Sequence, residues 1–203
     1  MSKLRLGILL SGRGSNFVAI ANAIRSGLLD AEIAVVVSNK AAAPGIEAAQ
    51  ALGLNASVVP AKGLTREEHD AELVRVLRES GTELIVLAGY MRLLTPEFIR
   101  EFPERIVNIH PSLLPAFPGL HAQRQALDYG VKVAGCTVHF VGDGLDDGPI
   151  ILQKTVPVMD GDTEETLSAR ILEQEHLAYP EALQLFAQGR IAMTGKRIVR
   201  ILP

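Results

Sequence analysis

Short apolar runs that alternate with amphipathic stretches constrain this chain more than any other feature of its sequence. LRLGILL at 4–10, Glu32–Val37, Ala56–Val59, Glu83–Ala88 and Ile106–Ile109 are each too short for a buried helix, and they read as strands covered on both faces. Helical spacing fills the intervals. Phe17, Ile20, Ala21 and Ile24 share one face of a helix over Asn16–Gly27, with Ser15 or Asn16 as its N-cap and Gly27 as its stop. Pro44–Leu52 is a short helix ending at Gly53, Thr65–Ser80 opens on a Thr65/Glu68 capping box, and Pro96 starts another helix behind the cap Thr95. Repeated strand–helix–strand units predict a mostly parallel sheet with right-handed crossovers.

The pattern changes further along. GCTVHFV and IILQKTV, within 135–158, alternate apolar and polar residues across a turn rich in Gly and Asp, so this region predicts two strands with antiparallel pairing. Thr163–Gly189 reads as helix, interrupted at Pro180, and Ile191–Ile201 as a terminal hairpin. The expected fold is α/β: a Rossmann-like, doubly wound, mixed but mostly parallel sheet with helices on both faces, in a single domain. At 203 residues and 48% hydrophobic, such a chain removes roughly 70% of its unfolded surface from water without staples.

Charge and cysteine content exclude several classes. Twenty Lys and Arg against 23 Asp and Glu give a net charge of −3 with no block of like charges. That balance argues against a nucleic-acid backbone or an anionic membrane as partner and leaves small anionic substrates open. A lone cysteine, Cys136, rules out an intramolecular disulfide framework and a cysteine-built metal site. Lys3 and Arg5 precede an apolar run that stops at Ser11, short of a signal-peptide core, and no stretch reaches the ~20 apolar residues of a membrane span. A cytoplasmic, soluble protein is expected.

In sheets of this kind ligands bind beyond the carboxyl ends of the strands, which directs attention to the loops at Ser11, Ser38, Gly89 and His110. The first is SGRGSN, Ser11 to Asn16. Gly12 and Gly14 permit a tight turn whose helix amides would face an anion. A dinucleotide fingerprint fails, because Phe17 occupies the third glycine position and Ser38 stands where the ribose-binding acid belongs. No Gly-Lys-Ser/Thr follows, so a Walker loop fails as well. A site for one phosphate and a plain strand-to-helix turn both remain. In RIVNIHPSLLPAFPG, Asn108 and His110 lie two apart on a strand and leave one face together. An amide donor beside an imidazole suits acyl transfer, the first for an oxyanion and the second for protons; a hydrogen-bonded structural histidine is the alternative. GDGLDDGP crowds Asp143, Asp146 and Asp147 into one turn. It is no calcium loop, since Lys154 falls where the twelfth-position acid should be. One of the three could orient the imidazole, or all could be solvated, and residue chemistry alone leaves the choice open. His69 reads as a packing residue on its helix, Cys136 as a buried hydrophobe, and His121 and His139 lie near the candidate rim.

Taken together, SGRGSN, SNK at 38–40, LAGYMRLL at 87–94, NIHPSLLPAFPG at 108–119, DDGP at 146–149 and QEHLAYP at 174–180 resemble the phosphoribosylglycinamide formyltransferase family, folate-dependent enzymes of purine synthesis. NIHPSLLP and D-x-G-P recur in the wider formyltransferase group, in methionyl-tRNA formyltransferase and formyltetrahydrofolate deformylase; SGRGSN and the chain length point to the glycinamide branch. The resemblance implies one formyltransferase domain over 1–203, with a nucleotide-binding half of about 1–100 and a folate-binding, catalytic half of about 101–203. It implies formyl transfer from 10-formyltetrahydrofolate to the amine of glycinamide ribonucleotide, with no metal. Asn108, His110 and Asp146 would be catalytic. Gly14, Ser15, Asn16 and Glu175 would hold the ribonucleotide, while Arg66, Met91, Arg92, Leu93, Leu94 and Asn108 would hold the folate. The family's Leu-Pro cis bond would fall at Leu114–Pro115. Small-molecule partners alone are expected, with neither nucleic acid nor membrane, for a monomer or homodimer. Arg13 stands where some members carry Asn, and Asp147 adds a carboxylate beside Asp146. Alternatives are a deformylase or another folate-dependent formyltransferase and, more remotely, a non-catalytic nucleotide-binding module or a nicotinamide oxidoreductase.

Overall fold

The computed structural model describes residues 3–194 and 197–203. Its elements run β1 (Leu4–Leu10), α1 (Ser15–Arg25), β2 (Ala31–Ser38), α2 (Pro44–Ala51), β3 (Ala56–Val58), α3 (Arg66–Glu79), β4 (Leu84–Leu87), α4 (Pro96–Glu101), β5 (Ile106–His110), α5 (Ala122–Tyr129), β6 (Val133–Phe140), β7 (Ile150–Pro157), α6 (Glu164–Ala187), β8 (Ile191–Thr194) and β9 (Ile198–Ile201). Seven strands hydrogen-bond in the order β3-β2-β1-β4-β5-β6-β7, and β8 pairs with β9 in a separate ribbon. The chain gathers into two compact units, one through Val107 and one from Asn108 onward.

In the first unit β1 runs parallel to β2 on one edge and to β4 on the other, and β2 runs parallel to β3. A strand bonded along both edges and covered on both faces has no outlet for polar side chains, and Leu6, Ile8, Leu9 and Leu10 are fully buried. Parallel alignment brings the carboxyl ends to one rim, with Leu10 opposite Ser38 and Leu9 opposite Leu87. α1 adds Phe17, Ile20 and Ala23 to this core, the two larger side chains contributing about 1.5–3 kcal/mol each. The capping box forms as expected: Thr65 Oγ1 accepts from the Glu68 amide at 3.1 Å, and Glu68 Oε2 accepts from the Thr65 amide at 2.8 Å. The α1 cap differs from expectation. Gly14, not Ser15 or Asn16, holds the N-cap position at φ 72° with no side-chain cap. A side chain there would stand 3.2 Å from the Gly45 Cα, so the turn requires glycine on two counts.

In the second unit β6 and β7 pair antiparallel from Val133–Pro157 to His139–Ile150, as the alternation predicted, with a register shift at Val138/His139. α6 starts on the cap Thr163 and continues through Pro180 without interruption. Proline removes one helical hydrogen bond, and the burial of Ala178, Tyr179, Ala182 and Leu183 around it keeps the helix continuous through that loss. Phe186 of α6 meets Phe140 of β6 edge-on at 5.6 Å. α5 was not anticipated from periodicity. The β8 and β9 strands of the expected hairpin pair antiparallel, and residues 195–196 lie outside the described residues.

Candidate active site

β5 delivers the first two side chains. Asn108 and His110 share a face of the strand; Asn108 reaches His139 within β6, and His110 reaches Asp146 in the turn after β6. Past His110 the chain is pinned from the neighbouring strands. Thr137 Oγ1 donates to the Ser112 carbonyl at 2.7 Å and accepts from the Leu114 amide at 3.0 Å, while Gln153 Nε2 donates to the Leu114 carbonyl and to Thr137 Oγ1, both at 2.9 Å. The Leu114–Pro115 bond is cis, as anticipated, and Phe117 follows at φ 55°. Its carbonyl accepts from His110 Nε2 at 2.9 Å. The imidazole is therefore held from the loop that leaves its own strand.

Asp146 comes from the GDGLDDGP turn. It adopts φ 50°, a left-handed conformation that Asp tolerates better than most residues, and so turns its carboxylate back toward β5. Asp146 Oδ2 stands 3.3 Å from His110 Nδ1 and accepts from the Gly119 amide at 2.8 Å. Each nitrogen of His110 thus faces an oxygen. The turn can lie this close because Gly148 has no side chain: a Cβ there would fall 1.8 Å from the Phe140 carbonyl oxygen. Of the three aspartates, Asp146 is the one that faces His110; Asp143 is exposed, and Asp147, also exposed, has Arg197 at 4.0 Å. Asp146 borders an open cavity of about 320 Å³ whose apolar wall includes Leu114, Pro115, Pro118, Leu145 and Ile150.

A second histidine enters from β6, and its contribution was not extracted from the sequence. His139 is buried, with Nδ1 2.8 Å from the Phe140 carbonyl, Nε2 3.4 Å from Asn108 Nδ2 and 3.8 Å from Asp146 Oδ1. Burial holds its pKa below the ordinary histidine value. Thr137 was missed as well. The signal lay in GCTVHFV, where strand alternation puts Thr137 and His139 on one face and Cys136, Val138 and Phe140 on the other.

The other candidates occupy their own units. Ser11 ties three rim loops of the first unit together: its hydroxyl donates to Asn39 Oδ1 at 2.7 Å and accepts from the Met91 amide at 2.8 Å, and its amide donates to the Gly89 carbonyl at 3.0 Å. Gly14, Ser15 and Asn16 form the start of α1, which has neither a side-chain cap nor an acid in its first turn. Met91 and Leu93 are exposed, Arg92 and Leu94 half-buried, and Arg66 is exposed on the first turn of α3. Asp70 accepts from the Thr95 amide at 2.7 Å, anchoring the far end of the 89–95 loop. In the second unit Glu175 is buried on α6. The buried Cys136 thiol is pushed up to about 12, by burial first and then by Glu175. His121 stays exposed at the start of α5, 3.8 Å from Glu164, and lies apart from the trio. His69 is a core residue donating to the Val59 carbonyl at 3.0 Å. Among the described residues no cluster of three or more His, Cys, Asp or Glu is placed to hold a metal, and no helix is long and apolar enough to cross a membrane.

Comparison with known proteins shows what the chain as a whole is similar to. The family model described as formyl transferase matches residues 4–183. Phosphoribosylglycinamide formyltransferase of Escherichia coli is 44% identical over 191 residues, covering 94% of this chain and 90% of its own. The trifunctional purine biosynthetic protein adenosine-3 of Drosophila pseudoobscura pseudoobscura is 49% identical over 92% of this chain, which spans only 14% of that protein's length. The crystal structure of glycinamide ribonucleotide transformylase 1 from Symbiobacterium toebii superposes with a TM-score of 0.97 at 53% identity, covering 100% of this chain and 95% of that one.

Proposed function

Because the chain belongs to the formyl transferase family, we propose that it transfers the formyl group of 10-formyltetrahydrofolate to the amine of glycinamide ribonucleotide, a step of purine biosynthesis. The observation that carries the reading is the gathering of an amide donor, an imidazole and a carboxylate: His110 Nδ1 stands 3.3 Å from Asp146 Oδ2, and His139 Nε2 lies between them and Asn108, 3.4 Å from Asn108 Nδ2 and 3.8 Å from Asp146 Oδ1. Acyl transfer to an amine asks for those three groups.

In this reading the amine lone pair attacks the formyl carbon, a C–N bond forms, and the carbonyl electrons move onto oxygen. Asn108 Nδ2 donates to that oxygen, and a preorganised donor of this kind is worth about 2.7–4 kcal/mol in the transition state. The new ammonium must shed a proton, and the departing folate nitrogen must gain one as its bond to the formyl carbon breaks. The His110–Asp146 pair carries that proton, with Asp146 fixed by the Gly119 amide and His110 by the Phe117 carbonyl. The tetrahedral adduct collapses to the formamide and tetrahydrofolate, and no enzyme atom becomes covalently attached.

The remaining assignments follow the family pattern. Gly14, Ser15 and Asn16 bind the acceptor's phosphate, supported by a helix start that carries no acid and no side-chain cap to compete with an anion. Glu175 takes the ribose. Met91, Arg92, Leu93, Leu94 and Arg66 serve the folate together with Asn108, and the Ser11 and Asp70 hydrogen bonds hold the 89–95 loop in shape for it. Small molecules are its partners, whether it works as a monomer or a homodimer, and it acts in the cytoplasm. Incubating the protein with 10-formyltetrahydrofolate and following the donor optically tests the reading. Donor loss that requires glycinamide ribonucleotide is expected. Equal loss without acceptor would make the protein a deformylase, and no loss at all would make it a binding module.

A further inference from the structure

The ring of His139 can be oriented from its neighbours alone. Nδ1 lies 2.8 Å from the Phe140 carbonyl, and a carbonyl oxygen only accepts, so Nδ1 carries the ring proton. A neutral imidazole has one N–H. Nε2 therefore presents a lone pair, and the group 3.4 Å away from it is the Asn108 carboxamide nitrogen. A carboxamide has two ends of nearly equal shape and opposite polarity. Beside a lone pair only the NH₂ end is favourable. One of its two N–H bonds then points at Nε2, and the other remains for a developing oxyanion. Were the amide reversed, its own oxygen would face that oxyanion and repel it.

We propose that His139 is a positioning residue for the transfer reaction, accepting one N–H of Asn108 at Nε2 and so keeping the NH₂ end of that amide toward the reacting carbonyl. The proposal rests on the formyl-transfer reading, which gives Asn108 its oxyanion. Burial works in its favour because it disfavours the charged ring, with His110 adding to the effect; the Phe140 carbonyl, Asp146 and Asp147 oppose it. The titratable groups around the ring are His110 from β5 and Asp146 and Asp147 from the β6–β7 turn. Protonation would turn Nε2 into a donor. It would then swing its affinity from Asn108 to Asp146 Oδ1, 3.8 Å away, and leave the amide unguided.

The experiment has a structural arm and a kinetic arm. Nitrogen-15 NMR of the histidine rings in the folded protein at pH 7.5 should show His139 protonated at Nδ1 and bare at Nε2; a proton on Nε2 overturns the proposal by itself. In the kinetic arm, wild-type transfer is measured first, and its absence would instead bring down the functional reading. With the wild type active, His139→Leu should lower kcat by about 10²-fold, the low end of the cost of losing one oxyanion donor, with KM changed only a few-fold. Adding His139→Leu to Asn108→Ala should cost almost nothing more, because the residue acts through Asn108. His139→Gln, whose Oε1 can accept, should restore part of the loss. Multiplying losses in the double variant, or a Gln variant no better than Leu, would show that His139 acts in some other way. Should the Leu variant fail to fold, the Gln variant and the ring NMR still decide.

Discussion

Asp146 sits in a left-handed conformation at φ 50° with one carboxylate oxygen shared between His110 Nδ1 and the Gly119 amide. Backbone strain of this kind costs roughly 1–3 kcal/mol and persists where surrounding structure enforces it. Here it aims one carboxylate out of three adjacent acids at the imidazole, and the chemistry separates them accordingly. Asp146→Asn should lower kcat by roughly 10² to 10⁴-fold, the range for general acid–base assistance, with substrate KM values little changed. Asp147→Asn, exposed and 4.0 Å from Arg197, should stay within a few-fold. Turnover against pH for both variants checks this, and a more damaging Asp147 change would reverse the assignment. At this scale the sequence was legible for Asn108, His110 and Asp146 because a motif carried them. His139 was legible only as a residue near the rim: its role depends on Asn108 of β5, a partner that strand order alone brings to it.

At the level of elements, one close approach and one open position show what the chain tolerates. Gly148 brings the β6–β7 turn onto the Phe140 carbonyl, and a Cβ there would sit 1.8 Å from that oxygen. Gly148→Ala should therefore displace the turn, destabilise the protein by about 1–3 kcal/mol as overpacking does, and abolish transfer as Asp146 moves off His110. Thermal unfolding alongside an activity assay would show both effects, and full activity in a variant of unchanged melting temperature would refute the geometry. Gly12 is the contrast, since a Cβ there would meet nothing within 4 Å. Gly12→Val should leave the melting temperature unchanged and raise the acceptor KM more than the folate KM, by crowding the loop that receives the phosphate; equal changes in both would count against that role. Strands and capped helices were legible because apolar runs and the Thr65/Glu68 pair are local signals. The rest depended on tertiary context. α5 is only eight residues long, buries just the small Ala122 and Ala126 and has no side-chain cap, so neither an apolar face of any size nor a capping signal announces it. Pro180 marks a break only if the flanking turns are free to bend, and their burial prevents it. The α1 cap position, Gly14, is crowded by Gly45, a contact no local reading contains.

For the molecule as a whole, acid should weaken the fold through two of its histidines. His139 and His176 are both held below the ordinary histidine value of 6.5 by burial. The unfolded chain then binds more protons than the folded one below about 6.5, so stability is intact above that pH and falls as pH drops toward the folded values. Urea unfolding at pH 7.5 and 5.5 should give a lower midpoint at the acid value with unchanged slope; a flat or rising midpoint would contradict burial of these rings as the cause. The central claim is the destination of the formyl group, and tracing the carbon itself tests it most directly. With 10-formyltetrahydrofolate carrying carbon-13 in the formyl position, NMR of a reaction containing glycinamide ribonucleotide should show the label appearing as a formamide on the ribonucleotide, one for each donor consumed. Label released as formate, or left on the folate, would contradict the account.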